Sequence, residues 1–280
     1  MEILGYILAV GIGVSLGLLG GGGSVLALPI LVYVMGVEPK TAIAMTLVIV
    51  GTVSFLGAIP HALGGNISLK TTLVFGSATT IGAYGGARIA TLPFVSSTFQ
   101  LILFALAMLS AAILMIYKSQ KGESKEELEV KPICKYCWLW LPTEGIAVGM
   151  LTGLVGVGGG FAIVPALVLL GKVPIKKAIG SSLLIIGFNA IAGFIGYLGK
   201  VNFNWSLTIT FTFLAGLGTV LGSYLSQYVE AKNLQKGFGY FLLAVAAFVL
   251  FQNRPGKTDR ESSRNSQTSI VRNYSKKLNG

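Results

Sequence analysis

Charge is what this sequence is short of. Asp, Glu, Lys and Arg make up 11% of its 280 residues, against about 25% in a soluble domain. The deficit is uneven, with no charged residue at all in 41–60, 71–87, 94–117 or 178–199. Runs of roughly 20 uncharged apolar residues match the hydrocarbon core of a bilayer, and a soluble fold has little use for so many. No Asp or Glu falls well inside an apolar segment, since Glu38, Glu144 and Glu230 stand at ends or in loops. Histidine occurs once, at His61, and cysteine twice, at Cys134 and Cys137. Two cysteines make no disulfide framework, and a lone C-x-x-C without a second pair or nearby His lacks the four ligands of a zinc site. An intramembrane enzyme would need a Ser/Lys or Ser/His pair, paired Asp or a His cluster. An enzyme is therefore not expected, and neither is a metal or cofactor.

What is present is apolar: 53% hydrophobic residues and a mean hydropathy of +0.77. Residues 3–19 lack the basic n-region and A-x-A-like site of a signal peptide, so they read as the first membrane segment. The apolar segments are 3–19 continuing as 24–36, then 41–60, 71–92 and 94–117; after them come 145–156 continuing as 161–171, then 178–199, 205–229 and 237–252. The division is a membrane unit at 1–117, a charged linker at 118–142, a second membrane unit at 143–252 and a basic tail at 253–280. The tail holds almost no large apolar residue and predicts disorder. It also carries much of the net charge of +11, suits anionic lipid, and lacks the interleaved aromatics of a nucleic-acid binder.

A shift of 136 residues superposes the two membrane units. Gly17 and Leu18 fall on Gly153 and Leu154, Gly20 on Gly156, Gly22 and Gly23 on Gly158 and Gly159, and Pro29 on Pro165. Farther along, Gly57 meets Gly193, Asn66 meets Asn202, Phe75 meets Phe211, Gly82 meets Gly218, and Gly86 meets Gly222. Apolar residues coincide by chance, but Gly, Pro and Asn at one constant offset point to a duplication. The fold class expected is all-α, a polytopic membrane helical bundle of two homologous repeats with about four apolar segments each.

The first segment of each repeat is broken by glycine, LLGGGGSVLALP at 18–29 and LVGVGGGFAIVP at 154–165. Each glycine costs a helix about 1 kcal/mol relative to Ala, so these stretches favour unwound backbone. At membrane depth such backbone survives only when buried in protein or lining a cavity. Gly-interrupted segments at matched positions of two halves point to a transporter's binding site. A half-helix starting at Ser24 or Phe161 would aim free N–H groups and a positive dipole end at the gap, which suits an anion. The alternative is that these glycines only let helices pack closely.

The paired G-L-x-G-x-G-G-G-x-x-x-x-P segments and the four-segment repeat resemble the sulfite exporter TauE/SafE family of membrane permeases, over roughly residues 5–252. The resemblance implies a carrier of small anions, often sulfur-containing ones such as sulfite or sulfonates. This chain departs from strict repetition where Gly21 pairs with Val157 and Ser24 with Gly160.

The candidate substrate-binding residues are Gly20, Gly22, Gly23, Ser24 and Thr46 in the first repeat, with Gly156, Gly158, Gly159, Gly160, Ser181, Ser182 and Asn189 in the second. Thr46 and Ser182 are mates at the 136 offset and would supply hydroxyl donors, unless they bond back to their own helix carbonyls. Asn189 needs a partner, whether solute or neighbouring helix. His61 reads as an interfacial loop residue rather than a proton relay. Arg88 attracts an anion at a vestibule or snorkels from a helix end. Asn66 and Asn202 fit turn chemistry, and Trp138 and Trp140 an aromatic belt.

Two topologies stay open. If the chain crosses straight through each break, the repeats are parallel and basic residues divide 14 against 7 in favour of cytoplasmic termini and linker. If each break is a re-entrant hairpin, the repeats are inverted and the count is 10 against 11. The functional expectation is a multi-pass cell-membrane transporter whose partners are a small anionic solute and the lipid bilayer. Export driven by membrane potential needs no partner ion, since no carboxylate stands inside a segment to relay protons. An anion channel is the alternative of the same kind, and a non-transporting structural membrane protein the alternative of another.

Overall fold

A computed structural model of the chain describes residues 2–90, 92, 95, 97–120, 137–155, 159–169, 171, 173–197 and 204–252. They form ten α-helices and no strand. The first five are α1 (Glu2–Leu19), α2 (Gly22–Pro29), α3 (Pro39–Leu63), α4 (Leu69–Ala90) and α5 (Ser97–Gln120). The second five are α6 (Cys137–Val155), α7 (Gly160–Leu169), α8 (Ile175–Tyr197), α9 (Trp205–Tyr228) and α10 (Ala231–Gln252). Shifted by 136, each of the first five falls within a few residues of its counterpart. The linker at 121–136 and the tail from 253 lie outside the described residues.

Sequence explains the punctuation. Pro29 has no N–H to give and its ring crowds the preceding turn, and the helix loosens there into a π-helical turn, Ile30–Val34, in which Met35 N bonds Ile30 O at 3.1 Å. Pro39 starts α3 at a position where a missing N–H costs nothing. Asn204 caps α9, its side chain accepting from Leu207 N at 3.2 Å. The 25 residues of α3, 23 of α8 and 24 of α9 are long and apolar enough to cross a membrane. Large side chains such as Ile7, Leu73, Ile81, Phe213 and Leu221 face outward, where lipid replaces water. Fully buried Phe75, Phe104, Phe161, Phe211 and Phe238 fill the interior.

Glycine contacts fix the direction of the helices. Gly23 abuts Ile12 and Leu16, and Gly5 abuts Met35, so α2 and the π turn run back along α1. The chain reverses at Gly20 and Gly21. Helix α9 runs parallel to α1, with Gly13 on Ala215, Gly17 on Thr219, Gly218 on Val10 and Gly222 on Val14. Helix α3 runs the same way, since Gly216 meets Leu56 and Gly57 meets Thr219. Helix α8 runs against α3, with Gly193 on Leu47, Gly51 on Ala190 and Gly187 on Phe55. Helices α4 and α6 are parallel, Gly149 on Thr79 and Gly153 on Ala83, while Gly82 meets Ile146 and Gly86 meets Met150. Small residues one turn apart let these backbones touch, the usual device of helix pairs in lipid. The repeated glycines therefore do two jobs: most of those within helices, Gly23 among them, serve close packing, and those at 20, 21 and 159 serve the breaks.

Helices α1, α3, α5 and α9 consequently point one way and α4, α6, α8 and α10 the other. The start of α1 and the end of α10 share one face, here the terminal face; the end of α5 and the start of α6 share the opposite one, the linker face. The straight-crossing reading is corrected, because Met35 returns to the level of Gly5. With it goes the basic-residue count that set the linker beside the termini. Elements paired by the 136-residue shift run in opposite directions, and α2 packs on α7, α3 on α8, and α5 on α10, while α1 pairs with α9 as α6 does with α4.

Candidate functional site

The first break begins where α1 stops. Gly20 takes φ +69°, a left-handed conformation that favours glycine, and its N–H closes onto Leu16 O at 2.8 Å. Breaking a helix at membrane depth frees carbonyls that lipid cannot satisfy, and three here receive a side chain. His61 Nε2 faces Gly17 O at 3.3 Å; a carbonyl only accepts, so that nitrogen carries the hydrogen. Ser182 Oγ donates to Gly20 O at 2.7 Å, sharing its hydrogen with Ile179 O, also at 2.7 Å. Ser24 Oγ donates to Gly21 O at 2.7 Å.

The second break is built alike. Gln100 of α5 donates through Nε2 to Leu154 O at 2.8 Å, in the last turn of α6. Gly159 takes φ +92°, and its carbonyl accepts from both Ala162 N and Ile163 N, at 3.0 and 2.9 Å. The candidates Gly156 and Gly158 lie outside the described residues, as does Asn202.

The two breaks meet. A Cβ built on Gly21 would fall onto the Gly160 carbonyl, and one on Gly160 onto the Cα of Gly21. Both glycines are buried. Helix α2 leads from this contact toward the terminal face and α7 toward the linker face, so two helix N-termini converge head to head. The half-helices start at Gly22 and Gly160, a residue or two before the predicted Ser24 and Phe161. First-turn N–H groups have no partner within their own helix, and each N-terminus carries about half a positive charge.

The polar candidates divide by where their hydrogens go. Ser24 and Ser182 spend theirs on break carbonyls, so they position backbone and have no donor left for a solute. Ser181 is turned away from the break: its Oγ accepts from Ser68 N at 2.9 Å and ties down the α3–α4 turn. Asn189 Oδ1 accepts from Thr79 Oγ1 at 3.2 Å and Thr80 Oγ1 at 2.9 Å, which joins α8 to α4. The Asn189 Nδ2, Thr46 Oγ1 and Ser54 Oγ atoms are buried without a partner. Those three retain hydrogens to offer.

Two expectations change, and a third residue finds a local partner. His61 is no loop residue; it lies in the last turn of α3, 2% exposed, with Ser226 Oγ 3.4 Å from its Nε2. Glu144 is not at a segment end, since α6 begins at Cys137 and carries it two turns in. Arg88 turns onto its own helix, donating to Tyr84 Oη at 2.9 Å and lying 5.3 Å from that ring's centre. Gln100, Thr79 and Thr80 escaped the candidate set; an amide within the uncharged run 94–117 was the available signal for Gln100.

A lipid-facing helical bundle whose broken helices meet at its centre defines a multi-pass membrane transporter. The chain belongs to the sulfite exporter TauE/SafE family, which matches residues 5–249. It is similar to a probable membrane transporter protein of Xylella fastidiosa strain Temecula1, 33% identical over 262 residues that cover 90% of this chain and 98% of the relative. Two Bacillus subtilis relatives, the probable membrane transporter proteins YunE and YdhB, are each 26% identical. YunE covers 84% of this chain and 92% of its own length, YdhB 76% and 84%. No solved structure matches. These relatives are membrane transporters rather than enzymes, as the sequence predicted.

Proposed function

We propose that the chain is a permease for small anions, sulfur oxyanions such as sulfite or a short sulfonate, held between the two breaks. The observation that carries this reading is the head-to-head meeting of the α2 and α7 N-termini at Gly21 and Gly160. Two half-helix ends bring first-turn amides and two positive dipole ends to one place in low dielectric, where they favour a negative guest. Thr46, Ser54 and Asn189 retain hydrogens to join them. Gly20, Gly22, Gly23, Ser24, Gly159, Gly160 and Ser182 shape the backbone that presents the amides, and Ser181 acts only at a distance.

Among the described residues, Gly21 and Gly160 touch backbone to backbone where the breaks meet, which favours a carrier that opens in turn to each face over a channel. Oppositely directed halves suit that motion, because one half can take the arrangement of the other. Export follows from charge. An anion leaving a negative-inside cell gains about 2.3 kcal/mol per charge per 100 mV, without a coupled ion. Flux of sulfite, short sulfonates and carboxylates in proteoliposomes under an imposed potential tests the reading. Voltage-dependent flux of a sulfur oxyanion is expected; flux of none of these anions, or indifference to voltage, would contradict it.

A further inference from the structure

Resting on that site, we propose that His61 and the Tyr197–Gln100 pair are its two access stations, the first groups to meet the solute from the linker face and the terminal face. His61 and Tyr197 are mates at the 136-residue offset, yet they close opposite ends of the bundle. His61 stands in the last turn of α3 at the linker face, and Tyr197 ends α8 at the terminal face. Each is 2% exposed; Nδ1 of His61 has no partner, and the Tyr197 hydroxyl has only the Gln100 side chain beside it. Such atoms cost about 1–3 kcal/mol each when buried and unpaired. A fold that only needed packing would fill both positions with Leu or Phe.

Both stations grip a break. His61 holds Gly17 O through Nε2, and Gln100 holds Leu154 O through Nε2, in the closing turns of α1 and α6. A solute touching either station therefore touches a group whose other end fixes the unwound backbone. A hydrated anion presents both hydrogens and oxygens, so an acceptor nitrogen at one end and a donor hydroxyl at the other are both usable as water is shed.

The test is cysteine accessibility in vesicles of known orientation, with Cys134→Ser and Cys137→Ser as background. His61→Cys is expected to react with a membrane-impermeant methanethiosulfonate at least tenfold faster from the linker face. Tyr197→Cys is expected to show the reverse preference. Equal reactivity, reaction of both from one face, or no reaction of either would overturn the proposal. Should a cysteine variant not accumulate, His61→Gln and Tyr197→Phe decide: a raised KM for solute offered from the station's own face is expected, and an unchanged KM from both faces overturns it. Wild-type sulfite flux tests the break site separately, so loss of that flux with face-specific labelling intact would sink the site's anion and leave the access path standing.

Discussion

Replacing Gly21 with alanine puts a methyl group where the Gly160 carbonyl now lies. The obstructing atoms are backbone, O, C and Cα of Gly160, so no flexible side chain can yield. Overpacking a core costs about 1–3 kcal/mol, and a rigid obstacle argues for the upper part, about 2–3 kcal/mol. At 1.36 kcal/mol per decade that is about a 30- to 150-fold loss of the state in which the breaks touch. If that state is the occluded step of transport, sulfite flux per folded protein in proteoliposomes falls at least tenfold. Gly160→Ala meets Gly21 from the other side and should do the same. Gly11→Ala is the control: nothing lies within 4 Å of its Cβ, it is exposed on α1, and alanine there should strengthen the helix by up to about 1 kcal/mol. Monodisperse Gly21→Ala protein transporting within twofold of wild type would refute the reasoning.

Ser182→Ala strands the Gly20 carbonyl and should cost about 1–3 kcal/mol, read as a lower thermal midpoint in detergent; an unchanged midpoint would mean the carbonyl finds another partner. Asn189→Leu should leave stability nearly intact, because Thr79 and Thr80 keep their bonds to Gly76 O at 2.9 and 2.8 Å. It should raise KM if Nδ2 meets the solute, and an unchanged KM would remove Asn189 from the site. A monovalent anion at equilibrium across 100 mV should reach about a 50-fold gradient, from about 2.3 kcal/mol per charge, with no imposed ion gradient. Accumulation only when a proton or sodium gradient is added would replace uniport with coupling and bring Glu144 and His61 into question.

The breaks were legible in the sequence because glycine is costly in a helix and the runs at 20–23 and 158–160 recur at one offset. Their convergence was foreseen from the same physics. The choice between hairpin and straight crossing stayed open, because periodicity carries no direction; reversal is visible only when Met35 is found beside Gly5. Which hydroxyls bond backbone stayed hidden for a similar reason. A serine at membrane depth announces a polar need, but not whether a carbonyl 162 residues away, as with Ser182 and Gly20, already meets it. His61 looked interfacial beside Pro60 and the glycines that follow, and contacts 44 residues upstream and 165 downstream help bury it.

The claim on which the rest stands is that break amides hold the anion. Amide 15N–1H spectra of purified protein labelled at Gly, Ser and Phe, titrated with sulfite, read those groups individually. The account predicts saturable downfield shifts at Gly22, Gly23, Gly160 and Phe161, lost in Gly21→Ala. Shifts confined to other positions, or none at saturating sulfite, would contradict it.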